Sequence, residues 1–256
     1  ISQTLDSILN QEHDYSYEIV IGEDCSTDNT KKVIEEYVQK YPQIIKPLYN
    51  AKNKGIINNY YNVIEHCSGK YIMECAGDDY WLPGKVKKQI EFMEANHDVG
   101  MCYGKAKILD MSVNKMQKKL FGAKTDTLKS LLVDNKIPAL SVCMQKKVLD
   151  EYIKEIEPTK KNWKLEDYPE WLWISEKSKI VFLNDIFGVY RNGHDSASLG
   201  KDFEKRMAFA KSYYDIKVFF ATYFNKEIPL WDENEILFNF CYEDLCVKFS
   251  NEIKNK

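Results

Sequence analysis

Residues 70–81 read KYIMECAGDDYW, an apolar run that ends in two adjacent carboxylates. The apolar, partly β-branched residues 71–73 predict a short buried strand, and Gly77 permits a sharp turn at its end. Because neighbouring aspartates repel each other, Asp78 and Asp79 are costly here unless a cation or hydrogen-bond donors offset their charge. Carboxylate oxygens are ligands that Mg²⁺ and Mn²⁺ prefer. The stretch therefore predicts a metal-binding turn at the edge of an α/β sheet, where such sheets bind ligands.

Taken alone, the pair has an equally good structural explanation. Aspartate commonly begins loops and caps helices, and Pro83 is typical of the first turn of a helix. The segments on both sides of the pair are therefore needed to separate a binding role from a capping role.

Length and charge restrict the classes of protein that fit. With 256 residues and a mass of 30.1 kDa, the chain can bury one sizeable core but hardly two full-sized domains. Its formal net charge is -3, and the lysines are scattered among acidic residues. We therefore expect no nucleic acid partner, because nothing in the sequence forms a basic patch for phosphates.

The cysteines and the hydropathy pattern bear on location. Seven cysteines without a Cys-x-x-Cys pair are typical of a reduced, cytosolic protein. No run approaches the ~20 apolar residues of a membrane helix, so neither a transmembrane segment nor a signal peptide is predicted. We expect a cytoplasmic protein, and we leave open peripheral association with the inner face of a membrane. Homo-oligomerisation is also left open, since aromatic-rich helices such as residues 218–224 could bury against another subunit.

The order of predicted elements favours an α/β fold. Strand-like and helix-like segments alternate through the first two-thirds of the chain, which predicts a mainly parallel sheet with helices on its faces. A Lys-rich stretch at 115–124 is interpreted as a solvated loop. Beyond residue 201 the pattern changes to two long helices, near 207–224 and 233–253. We predict a domain of residues 1–200 and a C-terminal helical appendage of residues 201–256.

Five sequence pieces occur in one order that is typical of a known family. They are EIVIGEDCSTDNT (18–30), an Asn53-x-Gly55 loop followed by Asn62, GKYIMECAGDDYWLPGKVKKQ (69–89), LEDYPEWLW (165–173) and VYRNGHDSAS (189–198). With these pieces the chain resembles the family 2 glycosyltransferases of GT-A fold, and the resemblance covers roughly residues 1 to 200.

The resemblance implies a fold and an activity. The fold is the GT-A nucleotide-diphospho-sugar transferase fold, a Rossmann-like and mainly parallel sheet with flanking helices, whose first strand would lie upstream of residue 1. The implied reaction is an inverting, metal-dependent transfer of a sugar from a nucleotide-diphosphate donor, with a uridine diphosphate sugar expected. The acceptor would be a hydroxyl of a saccharide or lipid-linked saccharide in surface polysaccharide biosynthesis.

The resemblance also implies roles for the acidic residues. Asp79 would contact Mn²⁺ or Mg²⁺, and Asp78 would meet the ribose or the metal shell. Asp24 would accept a hydrogen bond from the nucleobase. Glu23 stands where the family usually has another aspartate, and it is the further nucleotide-binding candidate. Ala76 replaces a further aspartate of many members, which leaves fewer metal ligands.

The remaining candidates concern the transfer itself. Asp167 would be the base that deprotonates the acceptor, with Glu166 orienting a substrate hydroxyl. Arg191 and His194 would reach the diphosphate from a loop, although a lone histidine is equally well explained as structural. Trp81 would line the cleft for the acceptor or would only pack. Two alternatives remain, a nucleotidyltransferase and a catalytically silent nucleotide-sugar-binding domain.

Overall fold

The structure is a computed structural model that describes residues 1–193 and 202–227. Its helices are α1 (Ser2–Leu9), α2 (Thr30–Lys40), α3 (Ile56–His66), α4 (Lys85–Ala95), α5 (Leu128–Val133), α6 (Lys146–Ile156), α7 (Asp167–Lys177) and α8 (Phe203–Tyr223). Its strands are β1 (Ile19–Glu23), β2 (Ile45–Tyr49), β3 (Tyr71–Ile72), β4 (Tyr80–Trp81), β5 (Val99–Asp110), β6 (Lys115–Phe121), β7 (Cys143–Gln145) and β8 (Lys179–Asn192).

The strands form two sheets with helices around them. Strands β1 and β2 pair in parallel, and a six-stranded sheet has the order β3-β7-β5-β8-β4, with β6 on β5. In the larger sheet only β5 and β8 are parallel, and the other pairs are antiparallel. Within the described residues no strand pair joins the two sheets, although the edges of β1 and β3 line the same cleft. The α/β architecture agrees with the prediction, and the pairing is mixed rather than mainly parallel.

The prediction of a loop at residues 115–124 is wrong for most of that stretch. Residues 115–121 form β6, because β5 continues to Asp110 and a tight turn then reverses the chain. The Asp110 carboxylate accepts a hydrogen bond from the Ser112 amide at 3.0 Å, and Asn114 adopts a positive φ of 48°. Lysines on this exposed strand resemble the charged edges that discourage pairing with other chains. A prediction based on alternating hydrophobic and polar residues misses this strand, because most of its side chains are charged or polar.

The largest core lies between the six-stranded sheet and helices α3, α5, α6, α7 and α8. Tyr168 of α7 stacks on Tyr213 of α8 with ring centroids 4.5 Å apart, and Trp163 contacts Phe219 at 5.3 Å. The described part of the C-terminal region therefore packs into the main core. The second predicted C-terminal helix, near 233–253, lies outside the described residues, and the division at residue 200 stays a prediction.

The pairing of β4 with β8 positions the acidic turn. Trp81 is the register partner of Gly188, so the residues just before β4 lie beside the residues that end β8. A side chain at Gly188 would have no room, because its Cβ would lie 2.9 Å from the Tyr80 carbonyl oxygen and would also collide with Leu140. Close contact between the two strands thus depends on glycine at this position.

Replacing Gly188 with alanine should lower the free energy of unfolding by about 1–3 kcal/mol, because the added methyl group forces β4 away from β8. Chemical denaturation would measure the loss. Gly69→Ala is the matched control, since the only nearby atom for its added Cβ is the Tyr71 carbonyl oxygen at 3.2 Å. Equal stability of the two variants would contradict the proposed constraint.

Candidate functional site

A single cleft of about 2640 Å³ runs between the two sheets. It is lined by every described residue that the sequence singled out for a site, namely Glu23, Asp24, Asp78, Asp79, Trp81, Glu166, Asp167 and Arg191. His194 lies outside the described residues. Residues from four separate sequence pieces thus meet in one place.

The turn that carries the two aspartates is held from both sides. The Thr4 hydroxyl in α1 contacts the carbonyl oxygens of Gly77 at 2.9 Å and of Asp79 at 2.7 Å. On the other side, the backbone amide of Arg191 donates to Asp79 Oδ1 at 2.8 Å. Asp79 is only 4% exposed, whereas Asp78 is exposed. One carboxylate is therefore fixed in the wall and the other reaches into the cleft.

Arg191 braces the same turn with its side chain. Its guanidinium contacts the carbonyl oxygen of Asp78 and the side-chain oxygen of Gln3, and it lies 5.0 Å from the centre of the Tyr80 ring. The arginine predicted to meet a diphosphate is thus already beside the acidic pair. A cation at this point would offset negative charge on a ligand as well as on the turn.

The turn has the donor chemistry of a partial divalent-metal site. Across residues 1–193 and 202–227, no group of three or more His, Cys, Asp or Glu side chains is arranged to hold a metal ion. Asp78 and Asp79 nevertheless supply hard carboxylate oxygens, and Mg²⁺ commonly uses one or two carboxylates with substrate phosphates completing its shell. The residues fit an ion that binds together with a phosphate-bearing ligand.

Asp24 fixes a loop at the carboxyl end of β1. Its carboxylate accepts hydrogen bonds from the amides of Lys54 at 2.8 Å and Gly55 at 2.9 Å, and from the Asn50 side chain at 2.9 Å. Gly55 has a φ of 81°, which favours glycine at the point where its amide turns toward Asp24. Asp24 therefore shapes the loop, and its contact with a nucleobase stays a prediction.

The Glu23 side chain bonds to the loop that directly follows β1. It is 4% exposed, and its carboxylate accepts a hydrogen bond from the Ser26 amide at 2.6 Å. This contact closes the turn that presents Asp24 to the cleft. A direct contact between Glu23 and a nucleotide stays a prediction.

The Glu166–Asp167 pair begins α7 on the other wall. Burial raises the pKa of Asp167 to about 6, although the Tyr168 amide donates to its carboxylate at 2.6 Å. Burial and the adjacent charge of Asp167 raise the pKa of Glu166 to about 8. Burial thus raises the pKa of both neighbouring carboxyls, and the charge of Asp167 adds to the rise at Glu166.

Tyr190 shows that the two acidic groups approach each other. Burial raises the pKa of Tyr190, and the charges of Asp79, Asp78 and Asp167 raise it further. The Tyr190 phenol is therefore close enough to feel the charges of both the Asp78–Asp79 turn and the start of α7. Both acidic groups thus lie near one side chain of the cleft.

Trp81 is mostly buried. Its side chain is 6% exposed, its indole N–H donates to the Glu74 carbonyl oxygen at 3.1 Å, and Lys85 Nζ lies 4.6 Å from its ring centre. These contacts account for the tryptophan as a packing residue. Its part in acceptor binding stays a prediction.

Several site residues were not predicted from the sequence. Thr4 and Gln3 belong to a short helix that carries no motif, and Glu74 and Glu170 lie inside apolar runs. A charged residue within a strand-like run, as at Glu74, was an available signal. Glu170 gave no such signal, because acidic residues are common in the first turn of a helix.

Comparisons with known proteins agree on one family. The model of the family described as Glycosyl transferase family 2 matches residues 1–153. An uncharacterized protein of Mycobacterium tuberculosis is 32% identical over 110 residues, which is 43% of this chain and 32% of that protein. The putative teichuronic acid biosynthesis glycosyltransferase TuaG of Bacillus subtilis is 25% identical over 202 residues, covering 78% of this chain and 77% of the relative.

A third relative has a more specific name. It is the UDP-Glc:alpha-D-GlcNAc-diphosphoundecaprenol beta-1,3-glucosyltransferase WfgD of Escherichia coli, which is 27% identical over 203 residues, or 78% of this chain and 75% of the relative.

Solved structures confirm the predicted fold class. Staphylococcus aureus TarS in complex with UDP-GlcNAc matches with a TM-score of 0.62 and 17% identity, over 93% of this chain and 67% of that one. The mannosyltransferase PcManGT of Pyrobaculum calidifontis, in complex with GDP-Man and Mn²⁺, matches with a TM-score of 0.58 and 13% identity, over 94% and 65%. Both likenesses establish the GT-A fold.

Replacing Thr4 with valine should lower the free energy of unfolding by about 1–3 kcal/mol, because a buried carbonyl oxygen of the acidic turn loses its hydroxyl donor without a change in side-chain shape. Chemical denaturation would measure it, with Thr222→Val on the exposed face of α8 as the matched control. A Thr4 variant as stable as the control would show that the hydroxyl does not hold the turn.

Proposed function

The chain belongs to glycosyl transferase family 2, and from this premise we propose that it is a metal-dependent, inverting glycosyltransferase that uses a uridine diphosphate sugar. The observation that carries the proposal is the convergence of the Asp78–Asp79 turn, Arg191 and Asp167 in one cleft. A group that binds a diphosphate and a group that accepts a proton must lie on opposite sides of one anomeric carbon for a direct displacement.

Asp167 is the proposed base. Its pKa of about 6 leaves it ionised at neutral pH, yet high enough to accept a proton from a hydroxyl group in the transition state. The acceptor oxygen forms a bond to the anomeric carbon while the bond from that carbon to the diphosphate oxygen breaks. The hydroxyl proton passes to Asp167, and the configuration at the anomeric carbon inverts.

The acidic turn and Arg191 are the proposed diphosphate site. Asp79, with Asp78, would hold Mn²⁺ or Mg²⁺, which when bound supplies Lewis-acid stabilisation of the leaving diphosphate. Arg191 would add a second positive charge from the end of β8, beside the same turn. His194, which follows β8 in sequence, remains a proposed contact of this group.

The nucleotide class is inferred from the relatives. TarS binds UDP-GlcNAc, and WfgD carries a UDP-glucose name, which together favour uridine. PcManGT binds GDP-Man, so guanosine is the competing base. Asp24 and Glu23 are the proposed nucleotide contacts at the end of β1.

The acceptor is proposed by the same reasoning. The name of TuaG refers to teichuronic acid biosynthesis, and that of WfgD refers to a diphosphoundecaprenol acceptor. We therefore propose as acceptor a saccharide or lipid-linked saccharide of surface polysaccharide biosynthesis, at the cytoplasmic face of the membrane. Every helix within residues 1–193 and 202–227 is too short or too polar to span a lipid bilayer. Residues 1–200 would carry the transfer site, and residues 201–256 would form the appendage.

The Asp167→Asn variant should release UDP from UDP-glucose or UDP-GlcNAc about 10²- to 10⁴-fold more slowly than wild type, because the amide cannot take a proton. Affinity for UDP with Mn²⁺ should stay within about twofold, since Asp167 is not a proposed nucleotide contact. Wild-type activity should fall as pH falls through about 6, where Asp167 gains its proton.

Asp150→Asn on α6 is the matched control for Asp167→Asn, since Asp150 is half exposed and pairs with Lys146 at the surface. Unchanged turnover in Asp167→Asn would remove this residue as the base.

In the Asp79→Asn variant, the factor by which Mn²⁺ increases the affinity for UDP should be at least about tenfold smaller than in wild type. The amide oxygen of the new side chain can still accept the hydrogen bond from the Arg191 amide. Calorimetric titrations of uridine, guanosine and thymidine diphosphate sugars with Mn²⁺ and then with EDTA would measure this factor. Asp185→Asn, at a surface ion pair with Lys88, is the control. Equal enhancement by Mn²⁺ in both variants would refute the metal site, and binding of none of these nucleotides would favour the nucleotidyltransferase or the silent domain.

A further inference from the structure

The hairpin of β5 and β6 is positively charged in a chain whose formal net charge is -3. Between residues 105 and 121 the sequence contains one acidic residue, Asp110, and five lysines. Pairing of the two strands brings together lysines that lie apart in the sequence, namely Lys105, Lys107, Lys115, Lys118 and Lys119. The proposed transfer reaction uses none of these side chains.

The three lysines of β6 keep their charge without a carboxylate partner. Lys115, Lys118 and Lys119 are exposed, and within residues 1–193 and 202–227 none of them forms an ion pair. Asp110 is the register partner of Lys115, but its carboxylate accepts hydrogen bonds from the amide and the hydroxyl of Ser112 at 3.0 and 2.6 Å. The hairpin therefore presents an excess of positive charge to its surroundings.

The turn of the hairpin also exposes apolar side chains. Residues 111–119 are exposed throughout, and Val113 is 67% exposed, whereas Met111 and Met116 are each 39% exposed. Single exposed apolar side chains are common on soluble proteins, but here three of them lie within six residues among lysines. Protection of an edge strand explains the lysines and gives no reason for the apolar tip.

The hairpin tip lies beside the proposed diphosphate site. The Met111 amide donates to the Asn192 carbonyl oxygen at 2.7 Å, and Met111 itself lines the cleft. Asn192 directly follows Arg191, whose guanidinium contacts the turn of the acidic pair. A surface that contacts the hairpin tip would therefore lie close to the cleft in which transfer is proposed.

We propose that the hairpin tip is a docking surface for an anionic lipid bilayer. Its lysines would meet the anionic head groups, while its apolar side chains would enter the boundary between head groups and acyl chains. A nucleic acid would satisfy the lysines and would leave the apolar tip in water. The docking surface consists of Met111, Val113, Lys115, Met116, Lys118 and Lys119.

The inference rests on the proposed function in one respect. A lipid-linked acceptor lies at the surface of a membrane, and docking through the hairpin would bring that surface next to Arg191 and the acidic turn. The contact itself requires only the charge and the apolar side chains of the hairpin.

Flotation of the whole chain with lipid vesicles tests the proposal. The protein should bind vesicles of equal parts phosphatidylglycerol and phosphatidylcholine, and salt should weaken this binding because it screens exposed charges. Glutamine at positions 115, 118 and 119 should lower the affinity by about 10- to 100-fold, since each lysine near an anionic surface contributes about fivefold. Val113→Ser, which keeps every charge, should lower it by about 3- to 10-fold.

The matched control removes the same charge from another exposed surface. Lys31→Gln, Lys32→Gln and Lys40→Gln on α2, combined in one variant, should leave vesicle affinity within about twofold of wild type. Affinity for UDP with Mn²⁺ should be the same in wild type and in every variant, which verifies that the variants are folded.

The outcomes distinguish this inference from the proposed function. Absence of wild-type binding to the anionic vesicles, or an equal loss in the α2 variant, would overturn the docking surface. Equal affinity for a DNA duplex and for vesicles at one salt concentration, with no loss in Val113→Ser, would indicate a general polyanion surface and would also overturn it. Vesicle binding that depends on the hairpin would support the surface even if no uridine nucleotide bound, a result that would overturn the proposed donor alone.

Discussion

Crowded negative charge is the constraint around which this cleft is built. Asp78, Asp79 and Asp167 face the same space, and among the described residues Arg191 is the cation in direct contact with the acidic turn. The structure limits the repulsion in two ways. It turns backbone amides and one guanidinium toward the acidic turn, and burial raises the pKa of the deeper carboxyls Glu166 and Glu170.

Hydrogen bonds from distant parts of the sequence hold these groups in place. The acidic turn is tied to α1 through Thr4 and to β8 through Arg191, so residues more than 70 positions apart in one case and more than 110 in the other fix one turn. Rigid placement of this kind is what a transfer reaction requires, because a donor diphosphate and a proton acceptor must be aligned before the substrate arrives.

The sequence predicted the fold and the candidate site best where functional residues and a recognisable strand or turn pattern occur in the same stretch. The five pieces predicted the GT-A fold, and the candidate residues Asp24, Asp78, Asp79 and Asp167 line one cleft. His194 lies outside the described residues, and the roles of these residues stay predictions. The strand expected before Asp78 ends at Ile72, because the following residues direct Glu74 toward Tyr60 and its carbonyl oxygen toward the Trp81 indole. Such contacts are tertiary, and no periodicity in the chain encodes them.

Dependence on tertiary contacts also explains why the sequence did not predict strand β6 or the role of Glu170. Strand β6 is stabilised by register with β5 and not by an alternating apolar face, so its lysines looked like a solvated loop. Glu170 becomes unusual only when α3 brings Tyr60 against α7 from 110 residues away. Local propensity predicts elements well, and it cannot predict which polar atom an element will be forced to bury.

The stacking of Tyr168 on Tyr213 links the transfer site to the C-terminal region. Tyr168 follows Asp167 directly, so the proposed base and the aromatic contact with α8 lie on adjacent residues of one helical turn. A displacement of α8 would therefore reach the proposed base through the residue that directly follows it.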